Sequence, residues 1–490
     1  MSDATTDRAD GDVELNRSIT GRLLFFYVLG DVLGSGIYVL IGTVAGEVGG
    51  AFWIAFAVGV SVAAITGLAY AELATKYPKA AGAALYLYKA FGNRPLAFLV
   101  TVSFLSASFA AAGSLAVGFA NYFLELWDVP PGLLVALLFL LMLSIINFIG
   151  ITESVVINML MTLVEISGLV IVTVIGIWYV AQGDADFSRL VEFETSTTPI
   201  FAIVGGVALA FFAMTGFENV ANVAEETIDP QRNFPRALIG GMIAAGFIYV
   251  LVAMTASLVV GAKDLAGSDA ALLEVVKADI IPIPLGFMTT LFAVIACIAI
   301  TNTTLVAVVT QPRILYGMAR EDVVPGVFAK LHPSRRSPWV GLIFSALVVA
   351  TLLVIGTLVV EAGGGIDLIA RLATVTVVLL LFIYFLVILA ALKLTGQDES
   401  EQTFTAPRPL LYVGLLGNVM LLVYVVVDDP TSVIWCAGLL AVGGVLFLVE
   451  QVIRSRRAAT AGPATETSDQ TSNQSPAEPP AEQPKPTEEP

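Results

Sequence analysis

The chain has 490 residues, of which 57% are hydrophobic and 13% charged, and its mean hydropathy is +0.88. Soluble domains carry about 25% charged residues, so a water-soluble globular protein is excluded. The net charge of −16 is unusual for so apolar a chain. Acidic residues outside the C-terminal segment, Asp184, Asp186, Glu192, Glu194, Asp264 and Asp269, point to an exterior built to stay hydrated in concentrated salt, as in a halophile. An acidic tail on an ordinary membrane protein is the alternative.

In chain order, residues 1–20 are polar and acidic and predict a disordered cytoplasmic N-terminus. They lack the apolar core of a cleavable signal peptide. Apolar blocks follow near 22–46, 50–74, 95–124, 132–149, 153–181, 198–225, 236–261, 283–316, 338–360, 366–392, 409–427 and 431–453. Each approaches the roughly 20 residues needed to cross a hydrocarbon core, which predicts about twelve transmembrane helices in an all-α polytopic membrane protein. Residues 458–490, rich in Ala, Thr, Ser, Gln, Pro and Glu, cannot bury a core and predict a disordered acidic tail. Cys297 and Cys436 fall inside apolar blocks and read as small buried hydrophobes. The single histidine, His332, lies in a basic polar loop.

Basic residues set the orientation. Of the 24 Lys and Arg, only Arg189, Lys263, Lys277 and Arg371 fall on one side, and the remainder share the other side with both termini. The positive-inside rule makes the richer side cytoplasmic.

Two blocks are interrupted. The first contains GDVLGSGIYVLIG (30–42), with Gly30, Gly34, Ser35 and Gly36 at mid-membrane. Small residues at that spacing serve close helix packing, but the contiguous run 34–36 fits a break better. Unwound backbone at that depth requires burial in protein or a cavity lining. The sixth block contains FFAMTGFENVANVAEE (211–226), with Gly216 and Glu218 in an apolar context. Breaks five spans apart are what two inverted five-helix repeats produce, and they point to a midplane binding site in a secondary transporter. A half-helix starting after the first break offers free amides and a positive dipole end to a carboxylate. The unwound second break offers carbonyls to an ammonium.

These residues resemble a known family. GDVLGSGIYVLIG is similar to the first-span signature of the amino acid–polyamine–organocation superfamily, and FFAMTGFENVANVAEET to its sixth. YPKAAGAALYLYKAFG (77–92) is similar to the loop before span three, and TQPRILYGMAREDVVP (310–325) to the end of span eight in the cationic amino acid transporter branch. The resemblance covers about residues 20–455. It implies a leucine-transporter fold working by alternating access: a first inverted repeat over 21–182 (spans 1–5), a second over 198–393 (spans 6–10), and spans 11–12 over 409–455. By the same resemblance Ser35, Gly36 and Ile37 would donate amides to a substrate carboxylate. The carbonyls of Val32, Phe212, Ala213 and Thr215 would receive the amino group, and Phe217 would close over the site as a gate. Phe217 as an ordinary core- or lipid-facing aromatic is the plainer alternative.

Glu165 departs from the pattern, because many relatives carry a lysine there. A carboxylate at that position would bind a cation or carry a proton itself. Thr301, Thr303 and Thr304, with the carbonyls of Gly30 and Leu33, would complete an oxygen-rich pocket suited to a hard cation. Glu165 is therefore expected to be the coupling residue, with H+ ahead of Na+, or else a carboxylate satisfied by neighbouring hydroxyls. Asp31 and Glu218 are further intramembrane carboxylates. Glu225, Glu226, Arg232, Arg236 and Arg313 lie where salt bridges would latch an inner gate. No catalytic cluster, cofactor, resident metal site or nucleic-acid partner is expected; the partners are a small amino-acid-like substrate and the bilayer. The leading expectation is a cation- or proton-coupled amino acid transporter of the inner membrane. An exchanger, or a sensor or channel on the same scaffold, remains open.

Overall fold

A computed structural model describes residues 17–34, 36–78, 82–127, 130–149, 155–183, 185–194, 198–320, 324–335, 337–364, 367–397 and 403–460. Eleven helices among them are long and apolar enough to cross a membrane, and a shorter apolar helix, Pro199–Ala213, supplies the first part of a twelfth span. Each expected block contains a helix. Span 1 is split into Gly21–Leu33 and Gly36–Val48. Span 6 is helical over Pro199–Ala213 and continues through turns and a short 3-10 segment, Asn219–Val223. The remaining spans are helices 2 (Trp53–Lys76), 3 (Arg94–Leu126), 4 (Gly132–Ile149), 5 (Val155–Gln182) and 7 (Pro230–Val259). After these come 8 (Leu285–Arg320), 9 (Trp339–Val359), 10 (Leu368–Lys393), 11 (Arg408–Asp428) and 12 (Pro430–Thr460).

The chain divides into a large unit, Met1–Glu450, and a second, Gln451–Pro490. The described part of the second is the last stretch of the span 12 helix. Within the first unit, spans 1 and 10 are central and are the most deeply buried (76% and 72% of their apolar windows), whereas spans 9 and 12 are peripheral, at 22% each. Helices that are apolar on all sides can sit at either depth. Spans 4, 9, 11 and 12 present Leu138, Leu141, Leu347, Leu416 and Ile434 outward, as a lipid-facing surface requires.

Both faces of the bundle are tied. At one end the helices Ala262–Ala266 and Ala271–Lys277 lie against Gly36–Val48. There Arg189 donates to the Leu258 carbonyl at 3.1 Å and Trp53 to the Leu190 carbonyl at 2.9 Å. Arg371 pairs with Asp429 and also donates to Ser432. At the other end Ser18 and Ile19 donate to the Glu226 carbonyl, and Ile228 donates back to Ile19. This short extended pairing joins the start of span 1 to the end of span 6. Arg408 grips the buried Glu72 with two bonds of 2.9 and 3.0 Å, while the Ala406 amide donates to the same carboxylate. Lys76 donates to the Leu394 carbonyl at 2.7 Å.

Removing one partner from a buried charge pair leaves the other uncompensated. Glu72→Gln is therefore expected to cost about 2–3 kcal/mol, read as a lower thermal midpoint in detergent. An unchanged midpoint would mean that the pair does not hold spans 2 and 11 together.

Candidate functional site

The two interruptions meet. Gly36, the first residue of the second half of span 1, packs on Ala213, the last residue of the span 6 α-helix. A Cβ on Gly36 would lie 2.9 Å from the Ala213 Cβ, so only glycine allows the approach. Gly216 has φ 116°, a conformation reserved for glycine, and faces the Asp31 backbone. Helix ends leave backbone groups unsatisfied, and here they converge on one small volume.

That volume is a cavity of about 60 Å³, room for about four water molecules. Span 1 contributes Asp31, Val32, Gly34 and Gly36; span 6 contributes Phe212, Ala213, Thr215, Gly216, Glu218 and Asn219. Span 3 supplies Phe104, Ala107, Ser108, Ala111 and Leu115; span 8 Thr303 and Ala307; span 10 Thr376 and Leu380. Two carboxylates and no basic side chain line it.

A hydroxyl from span 7 joins both breaks. Tyr249 Oη lies 2.6 Å from the carbonyl oxygens of Val32 and Leu33 and 3.0 Å from that of Ala213. One phenolic proton serves one acceptor at a time, so the hydroxyl is a shared donor for three carbonyls. The Phe212 carbonyl accepts from the Thr215 amide at 3.1 Å and from the Thr215 hydroxyl at 2.8 Å. The Gly30 carbonyl accepts from Gly34 at 3.2 Å.

Besides Glu72, three buried carboxylates, Asp31, Glu165 and Glu218, differ in their partners. Glu218 accepts from the Gly216 amide at 2.9 Å and from Tyr384 at 2.6 Å. Among the described residues neither oxygen of Asp31 completes a hydrogen bond, although Asn219 approaches it, and neither oxygen of Glu165 has a partner. The Glu165 backbone carbonyl accepts from Tyr38 at 2.8 Å. Buried polar groups without partners are few in folded proteins, and an intramembrane carboxylate in that condition is a functional candidate.

Of the residues the sequence singled out, Val32, Gly36, Phe212, Ala213, Thr215, Thr303, Asp31 and Glu218 are brought together around the cavity. Ile37 is buried one position beyond it. Ser35 lies outside the described residues. Phe217 is not among the cavity residues; it packs on Tyr384 (ring centroids 5.1 Å apart) and edge-on to Tyr70 (5.6 Å). Glu165 does not line the cavity. Thr301 and Thr304 donate to the carbonyls of Cys297 and Ile300 one turn back, and only Thr303 faces the cavity. Sequence reading missed Tyr249, Tyr384, Asn219, Ser108 and Thr376. It also missed a buried amide pair, Asn158 donating to Asn302 at 3.1 Å.

A family model for amino acid permeases matches residues 21–449. The chain belongs to the amino acid permease family. This permease is 28% identical to the chloroplastic cationic amino acid transporter 9 of Arabidopsis thaliana over 344 residues, which is 65% of this chain and 58% of that one. It is 28% identical to the methylthioribose transporter of Bacillus subtilis (66% and 72% of the two chains). It is 24% identical to the branched-chain amino acid permease BcaP of the same organism (67% and 73%). Among solved structures, a manganese transporter of Eremococcus coleocola superposes with a TM-score of 0.59 at 16% identity, covering 89% of this chain and 94% of that one. The permease is thus a multi-pass membrane protein with the leucine-transporter fold, its interrupted spans 1 and 6 five apart.

Tyr249→Phe keeps the ring and removes the shared donor. Leaving buried carbonyls unpaired costs about 1–3 kcal/mol, so a lowered thermal midpoint with unchanged helical content is expected. Wild-type stability in this variant would show that the hydroxyl does not hold the two breaks together.

Proposed function

We propose that the chain moves amino acids across the cytoplasmic membrane by alternating access, with both termini cytoplasmic and with Glu165 as the proton-carrying group. The observation that carries this reading is the cavity formed where two broken helices abut. The first-turn amides of Gly36 and Ile37 have no helical partner to their N-terminal side and suit a substrate carboxylate. Asp31, Glu218 and the span 6 carbonyls suit an ammonium. The family membership and the relatives' printed names, which range over cationic and branched-chain amino acids and methylthioribose, support a small polar organic substrate. The acidic lining favours substrates that carry an ammonium, and cationic amino acids most.

Protons are favoured over sodium because, among the described residues, no oxygen atom is bonded to the Glu165 carboxyl and no cage surrounds it. The Thr301 and Thr304 hydroxyls are committed to helix carbonyls, and the Leu33 carbonyl shares the Tyr249 proton. Removing an ionised carboxylate from water costs several kcal/mol unless it is paired, and a proton is the counter-charge that needs no cage. Phe217, in its aromatic cluster with Tyr70 and Tyr384, is placed to move with span 6 as the inner closure. Thr303 lines the cavity from span 8.

The outer latch does not contribute to pH dependence in the working range. Burial alone would raise the Asp429 carboxyl, but hydrogen bonds from Arg371, Ser432 and Thr431 outweigh it and hold the group at about 2. Its stabilising contribution is fully present above the ordinary aspartate range and is lost only as pH falls through about 2. Titration near neutrality must therefore arise elsewhere.

Uptake of labelled amino acids into proteoliposomes with an imposed pH gradient tests the coupling. The parent chain is expected to accumulate substrate above equilibrium, less so as external pH rises. Glu165→Gln is expected to lose accumulation and pH dependence while retaining exchange of labelled for unlabelled substrate. A Glu165→Gln protein that accumulates substrate like its parent would refute the role of Glu165.

A further inference from the structure

Arg232 and Arg236 stand one turn apart at the inner end of span 7, both exposed. Their expected role was as latches of an inner gate, yet among the described residues neither forms an ion pair. They form the mouth of an open groove of about 810 Å³ whose rim also includes Asp229, Gln231, Pro235 and Phe404. Asp229 offsets one of the two charges and leaves the mouth positive. Phe404 is held in place because its amide donates to Thr75 at 3.2 Å, two residues before Ala406 is fixed to Glu72. The neighbouring Arg408 is neutralised by the buried Glu72, so it does not compete for an anion.

The floor of the groove is apolar and runs into the membrane. Ile239, Gly240 and Ile243 line it. Ile243 is 58% exposed, and Phe247, one turn deeper on the same face, is 65% exposed. Gly240 leaves the floor low: a Cβ there would meet only the Phe25 ring, at 3.6 Å. A soluble anion would use the two guanidiniums and leave the apolar run without a role. An amphiphile with an anionic head and an acyl chain uses both.

We infer that this groove binds an anionic phospholipid of the inner leaflet, with the phosphate on Arg232 and Arg236 and an acyl chain along Gly240, Ile243 and Phe247. Guanidinium forks match phosphate oxygens in bidentate geometry. Basic pockets at the cytoplasmic ends of membrane helices attract anionic headgroups, and juxtamembrane arginines gain from the negative potential of that leaflet. The inference is independent of the substrate and of the coupling ion, because none of these residues lines the central cavity.

Native mass spectrometry of the full chain in a mixture of phosphatidylglycerol and phosphatidylcholine tests it. The parent chain is expected to retain phosphatidylglycerol with a preference of about tenfold. Arg232→Gln with Arg236→Gln is expected to abolish that preference, and Arg232→Lys with Arg236→Lys to keep part of it. Gly240→Leu leaves both charges and fills the floor, and it is expected to lower phosphatidylglycerol retention as well. Glycerol phosphate at matched concentration is expected not to displace the lipid. Undiminished preference in the double glutamine variant would overturn the proposal. Competition by glycerol phosphate together with normal retention by Gly240→Leu would also overturn it, by making the site one for a free anion. Thermal midpoints measured alongside would separate loss of the lipid from loss of the fold.

Discussion

Backbone amides and carbonyls cannot be left bare in hydrocarbon, and the architecture of this permease follows from how that constraint is met at two broken helices. Span 1 stops at Leu33 and restarts at Gly36, and the span 6 helix stops at Ala213. Each break is tolerable only because the other lies against it. Gly36 has no side chain to hold Ala213 away, Gly216 adopts a turn open to glycine alone, and Tyr249 reaches across from span 7 to share its proton among three carbonyls. The remaining spans form the protein wall that keeps lipid from this polar centre. Its burial gradient, from spans 1 and 10 outward to 9 and 12, reflects that task.

The same constraint explains where the carboxylates stand. Glu218 is anchored by the Gly216 amide and by Tyr384, so it belongs to the scaffold of the second break as well as to the cavity wall. Asp31 and Glu165 have no such anchors. A protein gains nothing in stability from burying an unpartnered carboxylate. Both side chains are nevertheless buried, and they are the groups to which the proposed function gives the binding of an ammonium and the carrying of a proton.

Much of this was legible because the signals are local. Span length and charge asymmetry show in any window of about 20 residues, and each of the twelve expected blocks contains a helix. The breaks were legible because Gly34, Ser35 and Gly36 are consecutive and Gly216 sits beside an intramembrane Glu218. Contacts between spans were not. Successive helix residues point about 100° apart, so of Thr301, Thr303 and Thr304 only Thr303 reaches the cavity, and no local pattern distinguishes them. Tyr249 lies in an ordinary apolar run, and its part in the site depends on how span 7 is rotated against spans 1 and 6. Phe217 was placed over the site by resemblance, whereas the local turn at Gly216 turns it into the Tyr70 and Tyr384 cluster. Span 6 was read as a block over 198–225 interrupted near Gly216, and its α-helix ends at Ala213, just before the glycine turn.

The central claim is that the cavity between the two breaks is where substrate binds. Cysteine placed at Ala111 or Ala307, on the cavity wall, in a transport-competent protein freed of Cys297 and Cys436, would report it through the rate of labelling by a small thiol reagent. The account predicts that a transported amino acid slows labelling at both positions, at concentrations that track its transport affinity. Labelling at the same rate with and without a transported substrate would contradict it and place the binding site elsewhere.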